Sequence, residues 1–195
     1  MNDAGVSNLI AFLWKLERKG FAELRRSLVD GQDLKAIPYV EPFVKNEGLR
    51  SIRRQMFYLV AGLFCLIERS IDLKQETTPQ PRAGNLGESI AQSYLKRERS
   101  GSIEKRFVAL LDADLEQLPQ RLRQMLTLLN ADGVEVAWEQ LLKDLCGWKS
   151  EERWVQHGWA RSFYIKTAPA KADSEDSDNP DETPSEQDTS AVGGN

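Results

Sequence analysis

Basic side chains recur in pairs along this chain: Arg25-Arg26, Arg50 with Arg53-Arg54, Lys96-Arg97 with Arg99, Lys105-Arg106, and Arg121 with Arg123. Arginine meets a phosphate with a planar fork of donors, so such clusters on a rigid body suit a polyanionic backbone with regularly spaced charges. On a helix, Arg50 and Arg54 share a face at spacing four, and Arg53 lies three from Arg50. The competing reading is that arginines on helix surfaces are solvated or paired with acids. Only Glu23 stands close to Arg25-Arg26, whereas Lys105-Arg106 directly follows Glu104.

Residue types suited to catalysis or metal binding form no constellation. His157 is the one histidine, and nothing near it has the form of a nucleophile elbow. Cys65 and Cys146 sit far apart in apolar helical patterns, and with a single histidine they cannot supply the four ligands of a structural zinc site. They read as the reduced, buried thiols of a cytosolic protein. Asp112 and Asp114 could hold a magnesium ion, but they fall between two helices, where capping explains them as well. The glycine-rich "AGNLG" (Ala83–Gly87) follows no strand and lacks the lysine of a phosphate loop. The expectation is a protein with no catalytic residue, metal or cofactor.

Helices must position the basic clusters. Val6, Leu9, Ile10, Leu13 and Leu16 follow three-four spacing, and a short amphipathic segment follows around residues 21–28. Pro38 and Pro42 limit "DLKAIPYVEPFV" to a turn plus a short helix. The longest apolar helix is expected over about residues 50–72. Its uncharged core, Met56 to Ile67, is too short for a bilayer, which needs about twenty residues, so this is a buried scaffold with arginines at its start. Asn85 can cap a helix running to about Arg97, and Ser102 can cap the next. Further helices are expected over 116–130 and 134–146. A last one begins at Ser150, with Glu151 and Glu152 in its first turn, and ends near Tyr164. Val155, Trp159 and Phe163 form one stripe of this helix and read as core. The fold class is all-α.

The polar, proline-containing stretch "KQETTPQPRAGN" reads as a linker. It divides an N-terminal helical unit (1–73) from a C-terminal helical bundle (86–166), with 74–85 as the linker between them. Residues 167–195 form an acidic tail with no aromatic, leucine or isoleucine, and the expectation is disorder. The formal charge of −4 hides a division between body and tail. Residues 1–166 hold 25 Lys and Arg against 22 Asp and Glu, or +3; the tail holds one lysine and eight acids, or −7. The opening Met-Asn-Asp-Ala-Gly has no basic stretch ahead of an apolar core, so no secretory signal is read and a cytoplasmic location is expected.

The order of segments resembles the CasB family, the small subunit of the type I-E CRISPR surveillance complex Cascade, over about residues 9–165. "AELRRSLVDGQDLKAIPYVEPFV" looks like the family's N-terminal region, and "RRQMFYLVAGLFCL" is similar to its central helix. "NLGESIAQSY" resembles the segment opening the second half, and "SIEKRFVALLDADLEQLPQRLRQMLTLL" the paired-basic helix with its successor. "GWARSFY" resembles a C-terminal signature. The resemblance implies a non-enzymatic, all-helical subunit, present beside a second copy of itself, the crRNA-bearing backbone and the large subunit. It would stabilise the crRNA–target DNA R-loop through backbone contacts that include the displaced non-target strand. Carried over position by position, the implied nucleic-acid contacts are Arg25, Arg26, Arg53, Arg54, Lys105, Arg106 and Arg123. Lys149 aligns less closely. The acidic tail has no counterpart in the family core and inherits no role. The alternative is a helical adaptor that binds protein alone.

Overall fold

The computed structural model describes residues 4–28, 33–44, 47–68 and 84–169. Among these, nine α-helices and one short 3-10 turn account for the regular structure, in keeping with the all-α expectation. In chain order they are α1 (Ala4–Trp14), α2 (Arg18–Ser27), the 3-10 turn (Asp33–Ala36), α3 (Ile37–Val44), α4 (Ile52–Ile67) and α5 (Leu86–Lys96). There follow α6 (Gly101–Leu111), α7 (Leu118–Ala131), α8 (Trp138–Cys146) and α9 (Trp154–Thr167). The expected linker core at 74–83 and the acidic segment from 170 onward lie outside the described residues.

α4 is the axis of the molecule because ten of its sixteen residues are buried, which no one-sided surface helix would show. It packs against α1, α2, α3, α7 and α8. Phe64 stands edge-on to both Trp14 and Trp138, at 4.8 and 5.2 Å between ring centroids. Gly62 lets α2 approach, since a Cβ there would lie 3.3 Å from the carbonyl oxygen of Leu24 and closer still to the Leu28 side chain. Trp138 at the start of α8 donates from Nε1 to Glu68 at the end of α4, 2.8 Å away, so the two helices run antiparallel. No described helix is long and apolar enough to cross a membrane.

The second half closes around the pairing of α5 with α9. Asn85 caps α5, its Oδ1 accepting from the Glu88 backbone N–H at 3.2 Å, while its Nδ2 donates to Ser162 Oγ at 2.9 Å. Behind it, Gly87 meets the α9 backbone directly. A Cβ built there would collide with the carbonyl oxygen of Trp159 and lie 2.8 Å from its carbon. The glycines of "AGNLG" therefore serve helix contact and helix entry. Val155, Trp159 and Phe163 are all buried, as their spacing predicts. Trp159 Nε1 donates to Asp144 at 2.6 Å, and Trp148 Nε1 donates to the Ala113 carbonyl at 3.0 Å.

Several boundaries depart from expectation; Ser100 rather than Ser102 precedes α6, and the last helix runs on to Thr167 rather than ending near Tyr164. The central helix spans 52–67 rather than 50–72. The helix expected from 134 begins at Trp138. The last helix starts at Trp154, because Arg153 takes a left-handed conformation (φ 49°) that no helix can pass through. Arg153 is held there by donating to the Leu111 carbonyl at 2.8 Å and pairing with Asp112 at 3.4 Å.

Asp144 is 4 % exposed and accepts from both Trp159 and Gln140, the latter at 2.7 Å. Burial pushes its carboxyl above the ordinary value of 3.8, although the two donors pull it back. A raised acid binds more protons in the folded chain than in the unfolded one, so its contribution to stability declines as pH rises from that ordinary value. Glu68, raised chiefly by burial, acts in the same sense. We expect Asp144→Asn to flatten the decline, measured by thermal melting from about pH 4 to 7. Parallel profiles for the two chains would rule out this role for Asp144.

Candidate nucleic-acid interface

The eight implied contact residues separate by what each already holds. Arg53 and Arg54 occupy the first turn of α4, where their partners come from the preceding chain. Arg53 Nε lies 3.3 Å from Glu47 Oε1, and its guanidinium stands 5.1 Å over the Phe57 ring. Arg54 forms an ion pair with Glu41 on α3 and donates to the Glu47 carbonyl at 3.4 Å. Tyr58 donates to the same Glu41 oxygen at 2.5 Å. With their side chains only 19 % and 16 % exposed, both arginines latch α3 and the 47–51 turn onto the central helix. Their charge reaches solvent partly neutralised.

The other six carry no ion pair with any described carboxylate. Arg25 and Arg26 fall in the last turn of α2, where cations suit the negative end of the helix dipole. Arg26 is exposed and Arg25 partly so. The charge of Arg25 acts on Cys65, late in α4, and that of Arg53 on Cys146 at the end of α8. Cys65 lies twelve residues beyond Arg53, roughly 18 Å along the helix, so the two arginine pairs stand at opposite ends of α4. Both thiols are free; Cys65 is buried as expected and Cys146 only partly so, and desolvation pushes Cys65 up to about 12 and Cys146 up to about 11.

Lys105 and Arg106 are exposed in the second turn of α6, and Arg123 is exposed on α7, which packs beside it. Neighbouring helical positions turn by about 100°, so Lys105 and Arg106 diverge and serve different flanks. Lys149 is exposed in the turn between α8 and α9, close in sequence to Glu151 and Glu152.

The unassigned cluster Lys96, Arg97 and Arg99 is structural. Lys96 donates to the Asp132 carbonyl at 2.9 Å, and Arg97 takes the Asp132 carboxylate with two nitrogens at 2.5 and 2.9 Å. Ser93 also donates to that carboxylate. Arg97 and Ser93 together hold Asp132 below its ordinary value, opposed by its own desolvation. Arg99 donates to the Thr167 carbonyl at 2.7 Å. These bonds sustain two successive left-handed residues, Glu98 (φ 52°) and Arg99 (φ 62°), each costing about 1–2 kcal/mol.

The structure adds two cations that the basic-pair pattern passed over. α6 and α9 run antiparallel: Tyr164 donates to Glu104 at 3.1 Å, Phe107 and Phe163 stack at 4.7 Å, and Arg153 reaches Leu111 at the far end. Arg161 and Lys166 are exposed on α9, interleaved with Tyr164 and Ile165, which are 47 % and 65 % exposed. The sequence carries a signal for this face, because no acid occurs between Arg153 and Lys166. His157 is exposed on the same helix. Asp114 accepts from the backbone N–H groups of Glu116 and Gln117 at 3.0 and 2.8 Å, which is the capping role. No group of three potential metal ligands occurs among the described residues.

Comparison with known proteins places these features in a family. The family model for CRISPR-associated protein Cse2 matches residues 20–164. A CRISPR-associated protein Cse2 from Thermus thermophilus is 38 % identical over 154 residues, covering 77 % of this chain and 80 % of that protein. The crystal structure of M. ruber CasB is 39 % identical with a TM-score of 0.73, covering 84 % of this chain and 94 % of that one. A chain of a CRISPR RNA-guided surveillance complex in its pre-nicking state is 26 % identical with a TM-score of 0.74, covering 86 % and 96 % respectively. With a family match over most of its described helices and relatives alike along four-fifths or more of their length, the chain belongs to the Cse2 (CasB) family of CRISPR-associated proteins.

Proposed function

We propose that this chain is the non-catalytic small subunit of a type I-E surveillance complex, Cascade, acting in cytoplasmic antiviral defence. It steadies the R-loop formed when crRNA pairs with target DNA. The observation that carries this reading is six exposed or partly exposed cations with no described carboxylate partner, mounted on a rigid helical body of this family. R-loop formation exchanges a DNA duplex for an RNA–DNA hybrid of similar stability, so a few added backbone contacts tip the balance. The displaced non-target strand is a flexible polyanion, and fixed guanidinium groups hold it without reading bases while releasing its counterions. Arg25, Arg26, Lys105, Arg106, Arg123 and Lys149 make these contacts. Arg53 and Arg54 contribute positive potential while they hold the start of α4. The partners are the crRNA-bearing backbone, the large subunit and a second copy of the chain; likeness to a chain within a surveillance complex supports the assembly.

Tagged chain isolated from cells that carry a crRNA array should bring down a ribonucleoprotein, and that assembly should lengthen R-loop lifetime over the same assembly lacking it. Recovery of the chain alone would overturn the reading. Recovery with protein but a salt-insensitive effect on the R-loop would favour the adaptor, since phosphate contacts weaken steeply with salt.

A further inference from the structure

The chain leaves the described residues at Pro169, directly after α9, and the cations of the molecule are dense around that exit. Glu104 of α6 touches Tyr164 of α9, which brings the second turn of α6, with Lys105 and Arg106 on its two flanks, beside the last turns of α9. Arg161 and Lys166 project from α9 itself, and Arg99 binds the Thr167 carbonyl from the other side. Residues 98–106 and 154–169 hold these five cations against only two acids, Glu98 and Glu104. Residues 173–188, next along the chain, carry eight carboxylates and no cation. Six of them, Asp173, Glu175, Asp176, Asp178, Asp181 and Glu182, fall within ten residues. An extended chain advances about 3.4 Å per residue, which sets these charges roughly 6 Å apart. A nucleic-acid strand presents one charge per about 3.4 Å of helix axis, a comparable density.

We propose that residues 173–188 dock on the cationic end formed by α6 and α9 and compete there with nucleic acid for Lys105, Arg106, Arg161 and Lys166. This inference rests on the reading of that surface as a nucleic-acid contact and adds its regulation. The first carboxylate follows Pro169 by four positions, enough for about 13 Å, while the touching pair Glu104–Tyr164 lies only about 8 Å back along α9. Tethering holds the carboxylates at a millimolar effective concentration, where individually weak ion pairs become occupied. Free subunit is thereby screened from bulk nucleic acid. In the complex, a strand held in place by neighbouring subunits and base pairing displaces the segment.

The test uses the full-length chain and labelled single-stranded DNA of mixed sequence, titrated at low and at high salt. A second chain carries the eight acids of 173–188 changed to Asn or Gln at unchanged length, and a third adds Lys105→Ala and Arg106→Ala to it. The neutralised chain should bind roughly tenfold more tightly at low salt, with the gain lost at high salt and erased in the third chain. If the neutralised chain binds no better than the full-length chain while the third binds worse, the docking is wrong and the α6 contact stands. A gain that survives Lys105→Ala and Arg106→Ala also overturns the docking, since the tail then acts only through net charge. If neither set of substitutions changes binding, the nucleic-acid reading of this surface falls, and the docking falls with it.

Discussion

Changing Arg25, Arg26, Lys105, Arg106 and Arg123 together to alanine should shorten R-loop lifetime in the assembled complex by on the order of a hundredfold at low salt. Each cation that meets a single-strand phosphate steepens the salt dependence by about 0.7, so the slope should become shallower by about 3.5. All five side chains are exposed or partly so and hold no described carboxylate, so the subunit keeps its fold and its melting temperature. Arg53 and Arg54 are left in place on purpose. Removing them would release Glu41, Glu47 and the turn before α4, and would confound loss of grip with loss of structure. R-loop dwell times at several salt concentrations measure the effect. An unchanged slope would show that these side chains meet no phosphate.

Gly87→Ala is the most damaging small change the structure offers. The added methyl collides with the Trp159 carbonyl, part of a helix backbone that cannot step aside without moving α9 as a body. Overpacking of this kind costs about 2–3 kcal/mol, and in a chain of this size it lowers the melting temperature by roughly 5–10 °C. Gly101→Ala is the control. Nothing lies within 4 Å of a Cβ at that first position of α6, so the substitution is neutral or slightly stabilising. Calorimetry of the two variants separates the predictions. Equal melting temperatures would mean that α5 and α9 are not packed as described.

Local pattern was enough for most of the scaffold. Three-four spacing marked α1 and the Val155–Trp159–Phe163 stripe, Asn85 announced the start of α5, and the short uncharged run of α4 excluded a membrane span. What escaped depends on partners distant in sequence. Lys96, Arg97 and Arg99 look like any surface cluster until Asp132 and Thr167, 35 and 68 residues away, are brought against them. The start of α9 moved four residues because Arg153 is captured by Leu111 across the bundle. Arg53 and Arg54 resemble a grip in sequence, yet their nearest anions come from the same fold. Arg161 stands alone in its segment, and only the packing of α6 against α9 brings a second basic segment alongside its helix.

The stretches "NLGESIAQSY" and "GWARSFY" lie some seventy positions apart, yet they are two halves of one joint, through Asn85 with Ser162 and Gly87 with Trp159. A chimaera that borrows either stretch from a distant relative inherits half a mortise without its tenon. Swaps intended to exchange specificity between relatives should move residues 84–97 and 154–167 as one cassette, leaving the α4 axis with the host.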